Sequence, residues 1–292
     1  MSPTIRRSDQ TVLSLLLTLA QQDPSIRWVI LSGSRSNPSI IPDPLQDFDI
    51  TYGVQTLAPY LNNLSWIQSF GELMILQMPD QMFGQTAPPG KITYLMQFRD
   101  GHRIDLTLIE INPTRSYQPD RLSRVLLDKD QLFADLPAPS DQDYWPQAPT
   151  ATLFADTCNE FWWVNPYVAK GLWRNELIYA KQMMESVLRT QILTMLIWEV
   201  GSQKGFAFNP GYQGKFLKEH LTDARWQALL KTYATADIEA SWQALFACCE
   251  LFSQSAHNVA AKFEFNYPSQ EAMEVRQFLD YLHQHQNREL FQ

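Results

Sequence analysis

Apolar residues repeat every second position in the first half of the chain and at helical spacing in the second, so two kinds of element are predicted. Near the start, Val12 to Ala20 reads as an amphipathic helix, with Ser8 or Asp9 well suited to cap it. Ile26 to Leu31 is a short apolar run that ends near a glycine, the mark of a buried strand. Asp47 to Val54 alternates with period two, and residues 57–68 read as a helix. Leu73 to Met78, Ile92 to Phe98 and His102 to Ile109 read as three further strands. Asp100-Gly101 between the last two is a hairpin-turn signal. A stretch rich in proline follows over 137–149, PAPSDQDYWPQAP, and has the composition of a linker. Beyond it the spacing predicts helices over 151–163, 166–200, 215–231, 237–262 and 270–286. Asn165-Pro166 predicts a helix start, because Asn caps well and Pro suits the first helical position.

The predicted class is therefore α+β: a mixed sheet with a few helices over 1–136, a linker over 137–149, and a helical domain over 150–292. A chain of 292 residues with 45% hydrophobic content can bury cores of that size. The formal net charge of −8 and a pI near 5.1 repel nucleic-acid phosphates and suit a cationic partner, although such a charge also serves solubility. Three cysteines without C-x-x-C spacing give neither a disulfide framework nor a zinc site, and fit a reducing cytoplasm. The apolar run at Val12 is too short to span a bilayer, so no membrane partner is expected.

The candidate chemistry lies on the strands. Side chains alternate across a strand, so Asp47, Asp49 and Thr51 share one face while Phe48, Ile50 and Tyr52 share the other. Asp105 and Thr107 likewise oppose Ile104, Leu106 and Leu108. If the two strands are neighbours, three carboxylates converge, and they raise one another's pKa values unless cations hold them. Mg²⁺ suits such a set, because it takes a few carboxylates together with substrate phosphates. Gly33 and Ser34 supply a turn whose backbone and hydroxyl can approach phosphate oxygens. Taken alone, Asp-x-Asp is common on solvated strands, and Gly-Ser is ordinary turn chemistry. The strand, the Gly-Ser turn, the paired aspartates and the later aspartate together are far more specific, and they resemble the polymerase-β-like nucleotidyltransferase fold.

The stretches VILSGSRSNP, QDFDITY, RIDLTLI, VLLDKDQLF, CNEFWWVNPYVAKGLWRNELIYA and GKFLKEHL resemble the aminoglycoside 6-adenylyltransferases, the streptomycin-modifying family. The resemblance implies that AMP passes from ATP to a streptomycin hydroxyl with release of pyrophosphate, which inactivates the antibiotic. It implies two Mg²⁺ ions on Asp47 and Asp49, with Asp105 completing the metal site or taking the proton. It implies a nucleotide held by Gly33, Ser34, Arg35, Lys170, Arg174 and Lys215, and a helical domain that closes over it and chooses the acceptor. Glu160 is the candidate substrate carboxylate or base. Trp162 and Trp163 are candidate faces for a cationic sugar, against their default role in a core. Lys181 continues the spacing of Lys170 and Arg174 but reads better as a solvated residue. The chain departs from the family pattern at Asn165-Pro166 and at Tyr212, where the family tends to carry a lysine. The rival readings are a nucleotidyltransferase with another acceptor, and a nucleotide-binding protein without catalysis on the same fold.

Overall fold

The computed structural model describes residues 6–112 and 117–285. The chain forms two compact units, Met1–Asp143 and Tyr144–Gln292.

The first unit opens with helix α1 (Asp9–Gln22), capped by Ser8, whose hydroxyl accepts the Thr11 N–H at 3.1 Å. Strands β1 (Ile26–Ser32) and β2 (Phe48–Val54) follow. The helix expected over 57–68 is a short one, α2 (Ala58–Asn62), and then a 3₁₀ segment, Leu64–Phe70. The break falls at Asn63, whose side chain accepts the Ser65 N–H and competes with the helical ladder. Then come β3 (Leu73–Gln77), β4 (Lys91–Phe98), β5 (Arg103–Glu110) and β6 (Ser123–Asp128).

The strands form one sheet in the order β3-β4-β5-β2-β1-β6. Only β2 and β5 run parallel; the other neighbours are antiparallel. Alternation then divides the sheet into two faces. Phe48, Ile50, Tyr52, Ile104, Leu106 and Leu108 are buried in the core with Val12, Leu16 and Ala20 of α1. Each large apolar side chain so buried contributes about 1.5–3 kcal/mol. The Tyr52 hydroxyl donates to the Leu16 carbonyl at 2.8 Å, which joins α1 to the sheet. Strand β6 was not among the predicted strands. Its apolar run is brief and passes directly into the charged stretch Asp128-Lys129-Asp130, which obscures the alternation.

The second unit is helical. Helix α3 (Ala151–Trp173) starts at Thr150, whose hydroxyl accepts the Leu153 N–H. It runs straight through Asn165-Pro166, so no new helix begins there. Proline removes one helical donor. The fully buried Asn165 side chain donates to the Phe161 carbonyl at 2.7 Å and accepts from the Cys249 thiol at 3.1 Å. The helix ends instead at Asn175, which adopts φ 62°. The Glu176 N–H reaches back to the Gly171 carbonyl, and the Asn175 N–H to that of Leu172, a left-handed helix stop.

After this stop come α4 (Leu177–Met183), a π-helical turn (Met184–Leu188) and α5 (Arg189–Lys204). The helix expected over 215–231 is shorter, α6 (Asp223–Leu230), preceded by a 3₁₀ turn at Leu217–Glu219. Helices α7 (Ile238–Phe263) and α8 (Ser269–Gln284) complete the unit; position 286 of the last expected helix lies outside the described residues. Cys158, Cys248 and Cys249 are buried free thiols, and burial pushes Cys158 and Cys248 up to about 12. Among the described residues, no helix is long and apolar enough to cross a membrane.

Candidate active site

The parallel pairing of β2 with β5 brings the expected carboxylates together. Asp49 is the direct register partner of Asp105, and Thr51 of Thr107, on the sheet face away from α1. Asp47 lies one residue before β2, at its entry. The Asp47 side chain is 37% exposed and that of Asp105 19%, so both oxygens sets stay within reach of solvent.

The Gly-Ser turn lies against the same face. Ser32 ends β1 opposite Asp49, and Gly33–Ser36 form a 3₁₀ turn. Gly33 has φ +69°, and a Cβ built on it would stand 2.2 Å from Asp49 Oδ2. Only glycine allows the turn to approach this carboxylate so closely. Ser36 anchors the turn by donating to the Leu31 carbonyl at 2.8 Å, and the Ser32 hydroxyl lies 2.8 Å from that of Ser123 on β6. Ser34 is half-buried at the middle of the turn.

Arg35, expected at the phosphates, is engaged within the fold itself. Its guanidinium donates to the carbonyls of Asp47 (3.0 Å) and Gln46 (2.7 Å) and to Asp9 (2.8 Å), and stacks 3.8 Å over the Phe48 ring. It therefore fixes the backbone on which Asp47 sits. Asp9 in turn faces the buried His102, which also contacts Asp100, and Asp100 is held by Arg7 at 2.6 Å. Burial raises the Asp9 carboxyl, but Arg35 and His102 outweigh it and hold the group below its usual range. Burial acts the same way on Asp100, and its contacts with Arg7 and His102 bring it well below the usual carboxylate range.

The cation that the structure places among the aspartates is Arg103, which sequence reasoning missed. Its Nε and Nη2 donate to the two oxygens of Asp105 at 2.7 and 2.8 Å, and its Nε lies 3.6 Å from Asp47. Hydrogen bonding to Asp105, with the nearby charges of Asp47 and Asp49, raises its pKa further. The signal was present: Arg103 and Asp105 are two apart on one strand, so the alternation that groups Asp105 with Thr107 also groups Arg103 with them.

The aspartates offer hard oxygen donors, so the residue types fit a Mg²⁺ site. Among the described residues, however, no three His, Cys, Asp or Glu side chains are gathered as a ready metal cage.

In the second unit, Glu160, Trp163, Tyr167, Lys170 and Arg174 follow one another at helical spacing and are all exposed on α3 and its cap. Trp163 is 64% exposed and meets Tyr167 edge-on, and the Lys170 ammonium lies 5.9 Å over the Tyr167 ring. Trp162 does not belong to this stripe. It is buried, packs edge-on against Phe161, and donates its indole N–H to the Tyr267 hydroxyl at 3.1 Å, so it is a core residue rather than a substrate face. Lys181 falls beyond the Asn175 stop and donates to the carbonyls of Ala234 and Thr235. Lys215 lies exposed over the Phe216 ring, and Tyr212 is exposed on the preceding turn.

Known proteins match this chain over nearly its whole length. The pattern of the streptomycin adenylyltransferase family matches residues 6–282. An aminoglycoside 6-adenylyltransferase of Bacillus subtilis (strain 168) is 38% identical over 267 residues, 90% of this chain and 93% of that one. Another from Campylobacter jejuni is 38% identical over 263 residues, covering 90% and 91%. A third from Staphylococcus aureus is 35% identical over 270 residues, covering 91% and 95%. A crystal structure of an aminoglycoside 6-adenyltransferase from Bacillus subtilis is 32% identical and covers 95% of this chain and 99% of that one, with a TM-score of 0.47. The resemblance read from the motifs is thus borne out: the chain belongs to the streptomycin adenylyltransferase family.

Proposed function

We propose that the protein transfers AMP from ATP to a hydroxyl of a cationic aminoglycoside, streptomycin being the preferred acceptor, and releases pyrophosphate. The observation that carries this reading is the register pairing of Asp49 with Asp105, with Gly33 held against the Asp49 carboxylate. Family membership supplies the reaction class and the acceptor class. The acceptor oxygen bonds to the α-phosphorus, the bond from that phosphorus to the pyrophosphate oxygen breaks, and the hydroxyl proton leaves.

Asp47, Asp49 and Asp105 would hold Mg²⁺, two ions in the expected arrangement. When bound, Mg²⁺ neutralises the triphosphate and stabilises charge on the leaving group. The N–H groups and Ser34 hydroxyl of the Gly33 turn would hold phosphate oxygens. Arg35 keeps Asp47 in place through the Gln46 and Asp47 carbonyls. On α3, Lys170 and Arg174 would serve the phosphates, while Glu160 and the Trp163 face suit a cationic sugar. Lys215 is a further candidate for the nucleotide. Glu160 or Asp105 would accept the proton. The function fits a cytoplasmic enzyme that inactivates an antibiotic.

Pyrophosphate release with Mg-ATP across an aminoglycoside panel tests the reading. Streptomycin should support turnover, while kanamycin and gentamicin, with different ring systems, should not. Equal turnover with all three would refute the acceptor preference.

A further inference from the structure

We propose that Arg103 is a resident counter-ion of the acidic site. Its guanidinium holds Asp105 and Asp47 when no divalent cation is bound, must withdraw for one to bind, and so sets the protein's cation affinity. The inference rests on the reading of the aspartates as a cation site, and it adds a residue that competes for that site.

The geometry carries the argument. Both oxygens of Asp105 are engaged by the Arg103 fork, at 2.7 and 2.8 Å, and the same nitrogen approaches Asp47 at 3.6 Å. A divalent cation bound by Asp105 needs those same lone pairs. Among the described residues no three His, Cys, Asp or Glu side chains form a ready metal cage, which is compatible with a guanidinium standing between Asp105 and Asp47. Neighbouring like charges need a cation between them, and the chain supplies one of its own.

Arg103 is also placed to leave. Its side chain is 40% exposed, so it can swing into water without a large desolvation change. The contrast with Arg35 is informative. That side chain is only 10% exposed and is tied to two main-chain carbonyls as well as to Asp9, so it cannot leave without loosening the entry to β2. The partners that the structure gives Arg103 are the carboxylates themselves. The pair is part-buried and bidentate, so breaking it has a real cost, and that cost is set against each cation that binds.

The consequence is measurable without turnover. Removing the guanidinium frees the Asp105 oxygens and removes the repulsion between a positive charge and an arriving divalent ion. At a separation of a few ångströms in a water-like medium, this corresponds to roughly tenfold in affinity. Mn²⁺ binding to the nucleotide-free protein would be titrated by the loss of the free-ion paramagnetic resonance signal. The wild type, Arg103→Gln, Arg103→Lys and Asp49→Asn would be compared, with circular dichroism to check folding. Arg103→Gln should bind Mn²⁺ about tenfold more tightly than the wild type. Arg103→Lys, which keeps the charge but loses the fork, should fall between them. If Arg103→Gln does not fold, the same ordering is read from Arg103→Lys against the wild type. Unchanged or weaker Mn²⁺ binding in a folded variant would overturn the proposal and leave Arg103 as a support that orients Asp105. Asp49→Asn separates the two readings: if it binds Mn²⁺ as the wild type does, the cation site itself is wrongly placed and both fall.

Discussion

Three aspartates share a sheet face, but they are held in unlike ways. Asp49 is fixed by its strand and by the close approach of Gly33. Asp47 depends on Arg35, which grips its carbonyl, and Asp105 is held by Arg103. Asp47→Asn and Asp49→Asn should each lower kcat more than about tenfold, a loss above roughly 1.4 kcal/mol, with the melting temperature little changed. A folded variant with turnover above that level would remove its aspartate from the reaction. Asp105→Asn distinguishes two roles. Loss of a ligand raises the Mg²⁺ concentration needed for half-maximal turnover, whereas loss of a base leaves it unchanged and is recovered at high pH. We expect the first outcome. The aspartates were legible because period-two alternation fixes their face. Arg103 obeyed the same rule and was overlooked because a lone arginine carries no motif.

At the scale of elements, alternation together with one short apolar run was enough to locate five strands, and Ser8 was legible as the cap that starts α1. Breaks were less legible, because each depends on a single side chain competing with the backbone. Asn63 interrupts one helix, and Asn175 rather than Asn165-Pro166 stops another. Asn165 fails as a cap because tertiary packing buries it and gives its amide to Phe161 and Cys249. The adjacent tryptophans make the same point. Trp162→Ala should destabilise the protein by about 3–5 kcal/mol, as a large core truncation does. Trp163→Ala should leave stability within about 0.5 kcal/mol and raise the acceptor KM. Denaturant unfolding and steady-state kinetics on both variants check this, and a stable Trp162→Ala would contradict the packing described.

The hairpin turn at Asp100 gives a pH-dependent element. Asp9 and Asp100 both have folded pKa values below their unfolded ones, so the stability they add is present above about pH 4. It is lost as pH falls from there through the depressed folded values. Asp100→Asn should therefore cost about 1–3 kcal/mol at neutral pH and flatten the decline below pH 4. A variant with the wild-type dependence of melting temperature on pH would show that the Arg7–Asp100–His102 contacts do not add stability.

At the scale of the whole molecule, the family supplies the aminoglycoside class of acceptor, and a net charge of −8 is compatible with it. The two-part composition of the sequence, with its change near 137–149, reflects a sheet unit and a helical unit, each with its own core. What the sequence could not display was which side chains are already engaged within the fold, since Trp162 looks identical to its exposed neighbour Trp163 until its partners are known. The central claim is nucleotidyl transfer to streptomycin by the acidic face of the sheet. It is tested most directly by mass spectrometry of streptomycin incubated with ATP, Mg²⁺ and either the wild type or Asp49→Asn. The account predicts an AMP adduct on streptomycin with the wild type and at most a trace with the variant; no adduct from folded wild-type protein, or equal adduct from both, would contradict it.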